Sequence, residues 1–103
     1  MVEWTPDDLK SNLDGGKDVF LKLWKKGCGP CKMSKPATDR LEEANPHGLT
    51  FAQICIDDHP EMLEISDSEV LPAFFVFKEQ SMKGKYLGFK GIKKLEEFIE
   101  SCV

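Results

Sequence analysis

A chain of 103 residues, 41% hydrophobic and 31% charged, has the length and composition of one soluble globular domain, residues 1–103. A net charge of −4 argues against general nucleic-acid binding, and no apolar run approaches the roughly 18 residues a membrane-spanning helix requires. Four cysteines are too few for a disulfide scaffold, and the acidic start Met1-Val2-Glu3-Trp4-Thr5-Pro6-Asp7-Asp8 lacks the basic and apolar regions of a secretory signal, so a cytoplasmic protein is expected.

Residues 2–4 read as a short edge strand. A helix then starts at Thr5-Pro6-Asp7-Asp8: threonine caps, proline suits the first helical position, and the aspartates favour the positive end of the helix dipole. Leu9 and Leu13 share one face, and Asp14-Gly15-Gly16 ends the helix. Residues 19–25 follow, with Phe20, Leu21, Leu23 and Trp24 too continuously apolar for a half-exposed strand, which predicts a central strand buried on both faces. Lys22 is the anomaly within it.

This strand runs into Gly27-Cys28-Gly29-Pro30-Cys31, and a helix is expected from Cys31 to about Asn45, with Met33, Ala37, Leu41 and Ala44 at helical spacing and a kink at Pro36. Two thiols three residues apart at a helix N-terminus approach closely enough to form a disulfide, at the dipole's positive end where a thiolate is stabilised. That arrangement is a candidate redox couple. As zinc ligands the two would need further donors, and neither His47 nor His59 forms a motif with them, so no metal site is expected.

Residues 50–57 form the next strand. Joined to the first by a crossover helix, it should run parallel to it. A short helix starts at Asp58-His59-Pro60 and carries Met62, Leu63 and Ile65. Leu71-Pro72 precedes the apolar run Ala73-Phe74-Phe75-Val76-Phe77, residues 79–82 turn it, and residues 83–89 return as a hairpin partner. The closing helix carries Ile92, Leu95, Phe98, Ile99 and Cys102 on one stripe. Cys55 and Cys102 read as packing residues, and Asp57 as an ordinary strand-end residue. The order (β)αβαβαββα predicts an α/β protein: a mixed four- to five-stranded sheet with helices on both faces.

Cys28-Gly29-Pro30-Cys31-Lys32-Met33, with Pro36 following, resembles the active site and kinked helix of the thioredoxin family. Trp24 before the first cysteine, Ile56-Asp57 with Pro60, Leu71-Pro72 and Gly88 extend the likeness over nearly the whole chain. The resemblance implies a thioredoxin fold and thiol–disulfide exchange with disulfide-containing protein substrates, in a monomer that needs no organic cofactor. Cys28, exposed, would attack and Cys31 would resolve the mixed disulfide. Pro72, if cis, would present the Leu71 backbone as an edge for substrate main chain, and Gly27, Gly29, Pro30 and Gly88 would keep the surface low. Electrons would come from a thioredoxin reductase or another thiol donor.

The chain departs from the family pattern in three places. Gly27 stands where thioredoxins usually carry tryptophan, which should leave Cys28 more exposed and its loop more flexible. Lys22 and Gln53 stand where many thioredoxins bury an aspartate and a lysine. An ammonium near the couple should favour the thiolate, and Lys22 is expected to make the protein more oxidising; the alternative is that its stem snorkels to water. Lys22, Lys25, Lys26, Lys32 and Lys35 also crowd the active-site stretch with no acid between Val19 and Thr38. That makes either a positive patch that steers acidic partners or a solvated, salt-screened rim. Protein-disulfide reduction is the expected activity. An oxidant or isomerase, or a non-catalytic binding module of the same fold, are the alternatives.

Overall fold

The protein is described by a computed structural model covering residues 1–103. In chain order its elements are β1 (Val2–Glu3), α1 (Pro6–Asp14), β2 (Val19–Trp24), α2 (Gly29–Ala44), β3 (Thr50–Cys55), a 3₁₀ turn (Pro60–Met62) leading into the single-turn α3 (Leu63–Ser66), β4 (Ala73–Lys78), β5 (Ser81–Leu87) and α4 (Ile92–Cys102). The strands form one mixed sheet in the order β1-β3-β2-β4-β5. β3 runs parallel to both β1 and β2, β2 pairs antiparallel with β4, and β4 with β5.

β2 lies in the middle, as its continuous apolar run predicts. Alternate side chains go to opposite faces of a strand. Val19, Leu21 and Leu23 join Ile54, Phe75 and Phe77 in one core, closed by Leu9 of α1 and by Met62. Phe20 joins Phe51, Phe74 and Val76 in the other, closed by Leu95 and Ile99 of α4 with Leu41 of α2 against it. The ring of Phe20 stacks on Phe51 at 4.8 Å and tilts against Phe74 at 5.7 Å, so aromatic contacts tie three neighbouring strands together. No helix is long and apolar enough to cross a membrane.

Local chemistry accounts for the ends. Thr5 caps α1, accepting from the Asp8 N–H at 3.2 Å, while the Asp8 carboxylate accepts from the Thr5 N–H at 2.9 Å. β1 stops at Glu3, and β3 stops at Cys55 rather than Asp57. Ile56 still donates to the Trp24 carbonyl at 2.9 Å, but the next side chain turns away to another partner. The β4–β5 turn is two residues long, where four were expected. Glu79 and Gln80 both adopt positive φ (54° and 68°), the twist a tight hairpin needs, so β5 begins at Ser81. Gly84 lets α4 pack closely on β5: a Cβ there would meet Cys102 Sγ at 2.9 Å and the Phe98 ring at 3.2 Å.

Candidate active site

The sheet brings several chain segments to one end. β2 and β3 are parallel and finish opposite each other, with Trp24 paired to Cys55. β4 is antiparallel and starts there, with Ala73 opposite Leu23, and β5 finishes there, with Leu87 opposite Ala73. Residues 25–28, 56–57, 71–72 and 88 therefore emerge at the same edge.

From Trp24 the chain passes through Lys25, Lys26 and Gly27 to Cys28. Gly27 has a φ of 73°, in the region that favours glycine. The Lys26 N–H donates to Asp57 Oδ2 at 2.9 Å, so the loop is tied down at the residue before Gly27. Cys55 Sγ donates weakly to the same oxygen at 3.7 Å. α2 begins at Gly29, two residues before the expected start. Cys28 is its N-cap, and its Sγ accepts from the Cys31 N–H at 3.2 Å. Pro30 sits in the first turn, where a missing N–H is of no consequence.

Cys28 and Cys31 form a disulfide with Cα atoms 5.2 Å apart. The expectation of an exposed Cys28 needs correction: it is 6% exposed and Cys31 3%. As N-cap, Cys28 folds its sulfur over the first turn of the helix, where the bond to Cys31 holds it. Gly29 and Pro30 are exposed beside it, as is Gly27.

Lys22 is 4% exposed, and its Nζ donates to the Cys31 carbonyl at 3.0 Å. It does not snorkel to solvent; it turns inward, beneath the couple. Burial pushes its ammonium below the ordinary lysine value; Asp39 opposes the shift, Lys35 adds to it and Glu3 opposes it. The same Cys31 carbonyl accepts from Ser34 Oγ at 2.7 Å, and Ser34 is fully buried. Gln53 pairs with Lys22 in the sheet register, but its Nε2 donates to Glu3 Oε1 at 2.9 Å. The Trp24 indole N–H also donates to the Glu3 carboxylate at 3.2 Å. The lysine–glutamine pairing expected from the sequence is thus a register pairing, with each side chain bonded elsewhere.

The Leu71–Pro72 peptide is cis. Pro72 is fully buried, and its carbonyl accepts from the Gly88 N–H at 2.8 Å, with Gly88 at a φ of 83°. Leu71 is half-buried, and neither its N–H nor its carbonyl makes a backbone hydrogen bond. Of the lysines, Lys35 bonds Asp39 at 2.8 Å, which holds that carboxyl below the ordinary 3.8. Lys25, Lys26 and Lys32 are exposed and make no ion pair.

The remaining candidates lie apart. His47 and Glu100 meet at 2.7 Å between the end of α2 and α4, and His59 lies 3.6 Å from Glu61. No group of three or more His, Cys, Asp or Glu side chains is placed to hold a metal ion. Cys55 is buried and Cys102 is half-buried against Gly84. Sequence reasoning missed Asp57, Ser34 and Glu3 as partners of the site. Asp57 had one available signal, its place at the end of the strand beside the cysteine loop.

The sequence profile of the thioredoxin family matches residues 1–101. A thioredoxin of Rhodospirillum rubrum is 31% identical over 97 residues, covering 94% of this chain and 89% of that protein. A thioredoxin of Alicyclobacillus acidocaldarius is 26% identical over 92 residues, covering 89% and 88%. Among solved structures, a chain from work on the thiol resolving mechanism of yeast mitochondrial 1-Cys peroxiredoxin superposes with a TM-score of 0.84 at 21% identity, covering 97% of this chain and 93% of that one.

Proposed function

Because the chain belongs to the thioredoxin family and has its fold, and is accordingly a thiol–disulfide oxidoreductase, we propose that it works as a reductant of protein disulfides through Cys28 and Cys31, as a single domain with no organic cofactor. The observation that carries this reading is the Cys28–Cys31 disulfide at the N-terminus of α2, with the Cys31 N–H on Cys28 Sγ.

In the dithiol form the Cys31 N–H and the helix dipole favour a thiolate on Cys28. That thiolate attacks one sulfur of the substrate disulfide. A Cys28–substrate bond forms, the substrate bond breaks and one substrate thiolate leaves. Cys31 then gives up its proton and attacks Cys28 Sγ. The mixed disulfide breaks, the second substrate thiolate leaves, and two electrons have passed to the substrate. A thioredoxin reductase or another thiol donor restores the dithiol.

Around this couple, the unpaired N–H and carbonyl of Leu71 offer an edge for extended substrate main chain. Pro72 and Gly88 close that edge from behind, and Gly27, Gly29 and Pro30 leave the approach low. Lys22 acts from beneath. Its inward ammonium favours thiolate over thiol, and its neutral form, which burial brings within reach, accepts a proton.

Insulin-disulfide reduction tests the reading. Cys28→Ser and Cys31→Ser are each expected to abolish turnover, and Cys31→Ser to trap substrate as a mixed disulfide. A double serine variant that keeps all biological activity would instead make the chain a binding module. Lys22 favours a second reading, in which the couple runs as an oxidant. The equilibrium potential against glutathione decides between them, and Lys22→Asp is expected to shift that potential in the reducing direction. A potential that stays put or rises overturns the oxidising role of Lys22.

A further inference from the structure

Behind the disulfide, between β2 and α2, lies a cavity of about 310 Å³. Cys31 forms part of its wall, together with Lys22, Lys25, Lys26, Lys32 and Lys35, and Asp39 is its one carboxylate. In a chain of net charge −4 this is a local reversal of sign. Asp39 is already bonded to Lys35 at 2.8 Å, while Lys25, Lys26 and Lys32 have no carboxylate partner. The innermost lysine is the unusual one. Lys22 is 4% exposed and uses one donor on the Cys31 carbonyl, so two of the three N–H groups of its ammonium have no protein acceptor. A buried cation with open donors, in a cavity whose lining holds five lysines against one carboxylate, has room for a further anion.

We propose that this cavity is a binding site for a small molecule carrying a phosphoryl or pyrophosphoryl group. The space, about 310 Å³ and open on one side, is ample for two linked phosphoryl groups and a small remainder. All the cationic groups are lysines. An ammonium is a compact point charge with rotatable donors, and several of them around one cavity can each meet a different oxygen of a polyanionic phosphoryl group. The group would sit against Lys22 at the floor, with Lys25 and Lys32 closing over it from the cysteine loop and from α2. Because Cys31 shares the wall, occupancy and thiolate formation disfavour each other. By linkage, oxidised protein should bind the anion more tightly than dithiol protein carrying a thiolate.

The test uses the oxidised protein, so its outcome does not depend on the redox reading. Inorganic pyrophosphate is titrated calorimetrically at constant ionic strength set with chloride. Saturable one-to-one binding with a sub-millimolar Kd is expected. Lys25→Gln/Lys32→Gln, both exposed positions, should weaken it about tenfold or more, the scale of losing charged hydrogen bonds. Lys93→Gln/Lys94→Gln removes equal charge from exposed positions on α4 and should leave Kd unchanged. Absent or unsaturable heat, or equal weakening in both double variants, overturns the proposal. Binding of a phosphoserine peptide without binding of pyrophosphate overturns it too, because the site would then belong to a protein partner.

Discussion

Lys22 stands between Leu21 and Leu23 on the central strand, 4% exposed, and has no carboxylate within ion-pair distance. Burial lowers its affinity for a proton, so between the depressed folded value and the ordinary 10.5 the unfolded chain binds more protons than the folded one. Stability therefore rises with pH across that window. Below it both states are charged, and the folded state carries the whole burial penalty. Lys22→Met keeps the apolar stem and removes the titration. It is expected to raise the unfolding free energy near neutral pH by on the order of 1 kcal/mol and to flatten the alkaline rise. Urea midpoints at stepped pH check both; a rise that survives in the variant belongs to another group. Gly27 makes the complementary point. No atom lies within 4 Å of where its Cβ would stand, so a side chain meets no clash at its root, but the φ of 73° strains any residue other than glycine. Gly27→Trp is expected to lower stability by about 1–2 kcal/mol, read from the same urea curves. The missing tryptophan was legible in the sequence; the backbone that excludes it was not, because φ depends on where Asp57 holds Lys26.

At the scale of elements, apolar continuity marked β2 as central, helical spacing marked α4, and spacing together with a capping threonine marked α1, because each signal reports burial or a local hydrogen bond. Boundaries set by less usual chemistry were missed. α2 starts at Gly29 because the Cys28 sulfur caps it, and sulfur is not among the usual capping atoms. The β4–β5 turn was hidden for a related reason. Its two positive-φ positions carry Glu79 and Gln80 rather than the Asn-Gly that announces such a turn, and the ladder on either side, with a register shift between Val76 and Phe77, imposes the geometry. The double change Glu79→Asn/Gln80→Gly should thus relieve strain without removing a side-chain hydrogen bond. It is expected to raise stability by about 1 kcal/mol, to leave insulin reduction unchanged and to show in the thermal midpoint. An unaltered or lower midpoint would mean that the native side chains hold the turn by contacts of their own.

Over the whole molecule, charge and topology act together. The chain is acidic overall, yet the sheet delivers Lys25, Lys26 and Lys32 to the end that holds the disulfide, and leaves them exposed and without ion pairs. The alternative of a solvated, salt-screened rim predicts no effect of substrate charge on encounter. A field concentrated at one end predicts that acidic disulfide substrates arrive faster than neutral ones, and only while the field reaches into solvent. Raising the ionic strength from about 0.01 M to about 0.15 M shortens the screening length from roughly 30 Å to roughly 8 Å. The second-order rate of exchange with an acidic disulfide peptide is expected to fall about tenfold over that range, and that with a neutral peptide of the same length to change little. Lys25→Gln/Lys32→Gln should bring the two rates together at low salt by slowing the acidic substrate alone. Parallel salt dependence for both peptides would place the effect in the thiol chemistry rather than in the approach. Stopped-flow tryptophan fluorescence is a suited readout, because Trp24 directly precedes the cysteine loop and lines the lysine-rich cavity behind the disulfide.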